Sequence, residues 1–387
     1  MSERFGTDSV AVPDSLNNGL RPRIIDFLMR YSASESPDTL EQRQLSGEFG
    51  LYAGATTPDL YGMTDAVYVL HTVGQLDSLT SRESRCTWAE RILACQGDDG
   101  WFTRLNHRGH PKEHATAYAL GALALLAREP DEGYLANVRP IGPLLPLLTS
   151  RQHFTHWIEK LGFVPTLRGI LGKNLGWHYI WRSSHIGGGV PAIIATAAPL
   201  FSQWWPDAPI DSEQWFRWYF EWLDGHINPN SGYWQRAIWN RVYHKPTHID
   251  MGGAVHFYWI YDALGRPFPY PEAVIKSTIG LQRPDGLYAD HPFCIDLDAD
   301  FCIVRSFLQL PESLQVEYQE IVHRAIERNF EAIVSALTEQ PLEGIYSDSH
   351  GLPGALAALV ECGKLPGFRH AAALADWQHP LDKVCWL

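Results

Sequence analysis

The chain has 387 residues, of which 45% are hydrophobic, and its 44 Asp and Glu outweigh 31 Lys and Arg to give a formal charge of −13. That balance argues against nucleic acid or an anionic membrane as partner, since both are held by clustered cations. No run approaches the roughly 20 apolar residues of a membrane span, and the six cysteines form no CxxC pair, so reduced thiols are expected.

The first ten residues, MSERFGTDSV, lack the apolar stretch of a signal peptide, which with the cysteine usage predicts a cytoplasmic protein. Residues 1–45 read as an N-terminal arm, loose to about residue 20, followed by a helix in which Ile24, Ile25, Leu28 and Met29 share one face. Residues 46–387 read as one further domain built from a repeat. Six times a glycine is followed by an aromatic residue or an apolar-aromatic pair: Gly50-Leu-Tyr52, Gly100-Trp-Phe102, Gly176-Trp-His178, Gly232-Tyr-Trp234, Gly286-Leu-Tyr288 and Gly344-Ile-Tyr346. Each copy sits between an amphipathic stretch and a run rich in small residues. The runs 114–126, 186–198 and 351–360 are apolar nearly all round, so helices there must be buried on every side. The stretch 316–335 carries one apolar stripe and one charged face, as a solvent-facing helix does. Alternation of the β type is nearly absent.

Six hairpins that cannot each bury their own apolar face must bury it on one another. The predicted fold is all-α, an α/α toroid of about six helical hairpins, with an open solenoid as the rival shape. In a toroid the polar residues that open the inner helices face one mouth: Asp65, His114, His185, His248, Asp296 or Asp298, and Asp348 or His350. Asp is a favoured N-cap and capping explains any one of these positions, but His is not a leading cap residue, and it opens three successive helices. His256, deeper in the His248 helix, reads as a buried, hydrogen-bonded histidine. The three carboxylates of Asp296-Leu-Asp298-Ala-Asp300 repel one another when crowded in a closed pocket, which raises at least one pKa and leaves a proton to donate.

Gln282-x-x-x-Gly286-x-Tyr288 and Gln340-x-x-x-Gly344-x-Tyr346 resemble the QW motif of terpenoid cyclases with Tyr in place of Trp, and Gln96 to Phe102 and Asn228 to Trp234 are near variants. In that superfamily the motif is structural: the amide bonds backbone groups of the neighbouring repeat. Asp296-Leu-Asp298-Ala-Asp300 resembles the DxDD acid motif of class II terpene cyclases, with Ala299 where the family has its last Asp. The resemblance implies an acid-initiated cyclase or isomerase acting on an isoprenoid-like substrate. Asp298 would donate the proton, Asp296 would be its partner, and Asp300 would substitute for the missing carboxylate. Trp101, Trp234, Tyr258 and Trp259 would stabilise cations. No cofactor is implied by that reading. Asp300, Cys302 and His350 instead resemble the zinc ligands of protein prenyltransferase β subunits.

The same barrel shape also serves carbohydrate-active hydrolases, lyases and epimerases, and 15 tryptophans supply candidate sugar platforms, Trp177, Trp181, Trp234 and Trp239 among them. Hydrolysis would pair Asp298 with Asp65 or Asp348. Lyase chemistry would use His114, His185, His248 or Tyr258 as base. A third reading is a non-catalytic toroid that binds a ligand or partner. A small-molecule or glycan substrate is expected under the first two.

Overall fold

The computed structural model describes residues 16–33, 44–103, 110–129, 131–163, 179–234 and 245–387. Among the described residues all regular elements are helical, and strand-like pairing is confined to isolated bridges such as Gln96 with Phe102. The longer helices are α1 (Arg21–Met29), α2 (Leu60–Thr72), α3 (Arg82–Leu93), α4 (Lys112–Leu126), α5 (Arg151–Lys160), α6 (Tyr179–Thr196), α7 (Ser212–His226), α8 (His248–Ala263), α9 (Pro271–Ile279), α10 (Cys294–Leu308), α11 (Glu312–Glu339) and α12 (Leu352–Cys362). Among the described residues no single helix is long and apolar enough to cross a membrane.

Odd and even helices differ in the way the sequence predicts. Along α11 the buried residues are Tyr318, Val322, Ala325, Ile326, Asn329, Phe330, Ile333 and Leu337, a spacing of three or four that leaves one face to water. All of α2 and α12 is buried, as is α4 after its first two residues apart from Ala124. Their starts are set locally. The Asp59 carboxylate accepts the Tyr61 backbone N–H at 2.9 Å, and Thr247 and Asp250 form a reciprocal capping box at the head of α8.

The even helices touch in chain order. α2 meets α4, α4 meets α6, α6 meets α8, α8 meets α10, α10 meets α12, and α12 returns to α2. A Cβ on Gly189, past the middle of α6, would lie 3.0 Å from the carbonyl of Glu113 at the head of α4, and one on Gly354, in the first turn of α12, would lie 2.6 Å from Cα of Cys294 at the head of α10.

The glycine–aromatic motif forms the joints between repeats. Gln96 Nε2 donates to Gly100 O and to Arg139 O, both at 2.8 Å, while Arg139 N donates to Gln96 Oε1 at 2.9 Å. Gln282 Nε2 repeats the arrangement on Gly286 O at 3.0 Å and Ala325 O at 2.8 Å. Gly100 and Gly286 hold φ of +85° and +94°, and a Cβ there would fall 2.3 Å from Pro140 O and 2.6 Å from Arg328 O, so only glycine fits. One detail differs from the expectation of bonds to helix ends: Ala325 lies inside α11. Gly50 and Gly344 are not left-handed, and Gly344 sits instead in a short helix, Leu342–Ile345. Gly176 lies outside the described residues.

Residues 16–20, expected to be part of a loose arm, pack against the rest of the chain. Leu16 and Leu20 are fully buried, and Asn17 bonds Ala373 O and Trp377 Nε1. The chain's last residues cover the C-terminal ends of the even helices. Gln378 N donates to Thr72 O at 2.9 Å, Tyr68 OH donates to Trp386 O at 2.8 Å, and Cys385 Sγ donates to Ala192 O at 3.5 Å. Arg305 holds Glu361 through two bonds of 2.6 and 3.1 Å and also reaches Asp262 and Asp382.

His71 lies in this region, buried at the last turn of α2. Burial pushes its pKa down to about 3, with Lys383 and Arg128 adding to the effect. The folded chain therefore favours neutral imidazole, while the unfolded chain takes up its proton near pH 6.5. Stability is complete above that pH and falls as pH drops toward 3, by about 1.4 kcal/mol per pH unit for each such histidine. Urea unfolding between pH 7.5 and 4.5 is expected to show this acid loss, and His71→Gln to flatten it by about one histidine's share. An unaltered pH slope in the variant would refute the assignment.

Candidate active site

The hub of the N-terminal rim is Asp65, fully buried in the second turn of α2. Its Oδ1 accepts Tyr118 OH from α4 at 2.9 Å and pairs with His350 Nδ1 at 2.8 Å, and its Oδ2 accepts Ser349 Oγ at 2.6 Å. Asp348 fixes the turn that carries His350 by accepting its backbone N–H at 3.0 Å. One carboxyl thus ties α2, α4 and the approach to α12 together. With Nδ1–H committed to Asp65, the acceptor nitrogen of neutral His350 is Nε2.

Four further histidines adjoin this pair. Ring centroids lie 4.3 Å apart for His110 and His114, 4.7 Å for His114 and His185, and 5.0 Å for His110 and His185. His350 is 4.9 Å from His110, and His256 is 4.8 Å from His185. Tyr61 OH lies 3.1 Å from His114 Nδ1, and the Tyr61 ring meets His350 edge-on at 4.6 Å. Ser184 Oγ lies 2.8 Å from His256 Nδ1. Trp386 forms a floor, stacked on His256 at 5.0 Å and edge-on to His114 at 5.5 Å and Trp259 at 5.4 Å. Burial holds His114 and His185 well below the usual histidine range, and the neighbouring imidazoles reinforce it. Burial alone lowers His256 to about 3. These three rings are neutral at ordinary pH.

The structure thus brings His114, His185, His350 and Asp65 together. His248 stands apart: its Nε2 donates to Leu281 O at 2.9 Å, in the joint between repeats. The three aspartates also separate. Asp296 accepts Tyr288 N and Asn329 Nδ2 at 2.9 Å each and Phe293 N at 3.2 Å, so it serves as cap and joint. Asp298 is fully buried, and among the described residues neither oxygen has a hydrogen-bond partner. Burial, with Asp296 adding, pushes its pKa well above the carboxylate range. A Cβ on Gly252 would meet Asp298 Oδ2 at 3.2 Å and Trp181 at 3.7 Å. Asp300 Oδ2 accepts a hydrogen bond from the Cys362 thiol at 3.1 Å.

Of the aromatic candidates, Trp259 adjoins His256 at 4.9 Å, and Trp101 is buried beneath Lys112, whose Nζ lies 4.5 Å from the ring centre. Trp234 donates Nε1–H to Leu223 O at 2.9 Å and packs on Phe257 and Tyr258. Tyr258 bonds Gly232 O and stacks on Phe268 at 4.2 Å. Both fill space between helices. Trp177 and Trp239 lie outside the described residues. The set Asp300, Cys302 and His350 does not converge: the first faces Cys362, the second is buried in α10, and the third is bonded to Asp65. Among the described residues the group whose ligand atoms do converge is His110, His114 and His185.

Sequence reading missed His110, Tyr61, Tyr118, Ser349 and Trp386. His110 stands in the bend before α4, outside the helix, so helical periodicity gave no signal for it. Trp386 carried none. Searches of protein-family profiles, curated proteins and solved structures return no match to this chain.

Asp65→Ala strands three buried polar partners, and each orphaned group costs about 1–3 kcal/mol. The variant is expected to lose at least about 3 kcal/mol of unfolding free energy by urea denaturation, and Asp65→Asn distinctly less. Equal stability of the alanine variant and the parent would show that Asp65 is not the hub.

Proposed function

We propose that the six buried helices close into an α/α toroid, and that the chain is an enzyme that moves protons at the rim where their N-termini gather. The reaction class is that of a lyase or epimerase acting on an anionic carbohydrate, such as a uronate-containing glycan. The observation that carries this reading is the pair of buried Asp65 and partly exposed His350 at 2.8 Å, set among Tyr61, His110 and His114. A carboxyl that orients one imidazole nitrogen leaves the other as a directed base.

The rim suits an anion. Helix N-termini present backbone N–H groups and partial positive charge, and the exposed Lys112 and Arg182 stand in the first turns of α4 and α6. In the proposed step His350 Nε2 takes the proton next to the substrate carboxylate. The electron pair delocalises toward that carboxylate, whose developing charge the rim stabilises. In a lyase the neighbouring C–O bond then breaks and the departing oxygen takes a proton, for which Tyr61 is the candidate donor. In an epimerase the carbon is reprotonated on its other face. A rim with five imidazoles is more polar than a carbocation pocket requires, and this favours the carbohydrate reading over the cyclase.

The test is a panel of uronate-containing glycans, followed by ultraviolet absorbance of the unsaturated product and by solvent-deuterium incorporation. His350→Asn is expected to lower kcat by about 10²–10⁴ with KM changed only a few-fold, as removal of a general base does. Turnover equal to that of the parent would remove His350 from the mechanism.

One observation favours the acid-initiated cyclase as a second reading: Asp298 is buried with neither oxygen hydrogen-bonded among the described residues, and burial pushes its pKa well above the carboxylate range. Under that reading Asp298→Asn abolishes conversion of prenyl substrates, with a loss of at least about 10²-fold, while His350→Asn does not. Prenyl turnover that survives Asp298→Asn would dispose of it.

A further inference from the structure

The geometry points to His110, His114 and His185 as the binding site of one divalent transition metal ion of the zinc class, with at least one coordination position left for water or substrate. The inference concerns the same rim as the reading above but rests on the convergence of His110, His114 and His185 rather than on the Asp65–His350 pair.

One ring nitrogen from each histidine lies within 4.8 Å of the other two. Tetrahedral zinc at about 2.0–2.1 Å from each nitrogen needs them about 3.3 Å apart. The rings must draw together by roughly 1.5 Å at most, a shift within reach of side-chain torsions. The backbones that carry them are already fixed. His110 stands in the bend before α4, His114 in the first turn of α4 and His185 in the second turn of α6. The near contact of Gly189 with Glu113 locks those two helices together.

The chemistry of the set agrees. Three imidazole ligands suit zinc and its neighbours in the first transition row, and they leave the open position typical of catalytic rather than structural sites. If His114 binds through Nε2, its Nδ1–H donates to the Tyr61 hydroxyl 3.1 Å away. Such a second partner fixes ring orientation at metal sites. The carboxyl group of Asp65 stands one ring further out, behind His350, which is 4.9 Å from His110. Three imidazoles packed together without an ion gain little from one another, whereas a shared cation gives each a strong bond.

The full-length chain, stripped with a chelator, would be titrated with CoCl2 while the visible d–d absorption is recorded, and metal content would be measured after equilibration with ZnCl2. One equivalent per chain is expected. His114→Ala and His185→Ala should weaken cobalt binding at least about 100-fold, as loss of a direct ligand must exceed the 10–100-fold of an outer-shell change. His350→Asn should stay within about tenfold of the parent. Circular dichroism would report whether each variant folds. Should His114→Ala fail to, His110→Gln, at the edge of the helix, gives the same reading. Absence of saturable one-to-one binding, or unchanged affinity in the folded His110 and His185 variants, overturns the site. His350-dependent uronate turnover in a chain that binds no cobalt would sink the metal site and leave the proton-transfer reading standing. Histidine-dependent cobalt binding without turnover of any uronate would do the reverse.

Discussion

The close approach of the buried helices is the constraint on which the other features rest. Helices usually pack 8–10 Å apart, with side chains between them. Here glycine removes the side chain where an even helix meets its neighbour's first turn, at Gly189 against Glu113 and at Gly354 against Cys294. A methyl group at Gly354 would overlap the Cys294 backbone, and relieving it means separating α10 from α12. The same separation would spread the rim. His350 reaches Asp65 across α12 and α2, and His185 reaches His114 across α6 and α4, at distances that tolerate little movement. Packing and chemistry are therefore one problem in this chain: the small-residue helices are short-range spacers that set the distances between polar groups.

The two ends of the helical set are built differently. At the C-terminal end, Arg305 sits in a network with Glu361, Asp262 and Asp382, and Lys364 adds a further cation. Glu361 is fully buried, so removing either partner of its pair would leave an uncompensated charge, which ties α10 to α12 more firmly than the net worth of the ion pair suggests. The terminal segment lies across this end and delivers Trp386 inward beneath the histidines. At the N-terminal end imidazoles and hydroxyls gather around Asp65, and Asp296 and Asp298 are buried in the first two turns of α10. One end is closed by charge pairing. The other concentrates groups that accept, donate and relay protons.

The aspartate run shows why a local pattern misleads about chemistry. Asp296, Asp298 and Asp300 look like one crowded acid cluster in sequence. A helix turns about 100° per residue, so Asp298 points about 160° away from each of the other two, while Asp296 and Asp300 lie about one turn apart along the same side. Asp296 faces the Tyr288–Asn329 joint, Asp298 is buried near Gly252, and Asp300 faces Cys362 on α12. The carboxylates still influence one another, since Asp296 is among the groups that raise both Asp298 and Asp300. They do not share a site.

Taken alone, the amino-acid order determined what depends on neighbours a few positions away. It set the all-helical composition, the alternation of amphipathic and fully apolar helices, the caps that start them, and the Gln–Gly joints whose backbone needs a left-handed glycine. It also placed Asp65, His114, His185 and His350 near helix starts, because periodicity and capping are short-range properties. Only the tertiary structure decided which of these meet. Asp65 and His350 are 285 residues apart, His248 turned to a backbone carbonyl, and Trp234 and Tyr258 went into the packing between helices. Those outcomes follow from how six helices share a core, which has no signature in any window of the chain.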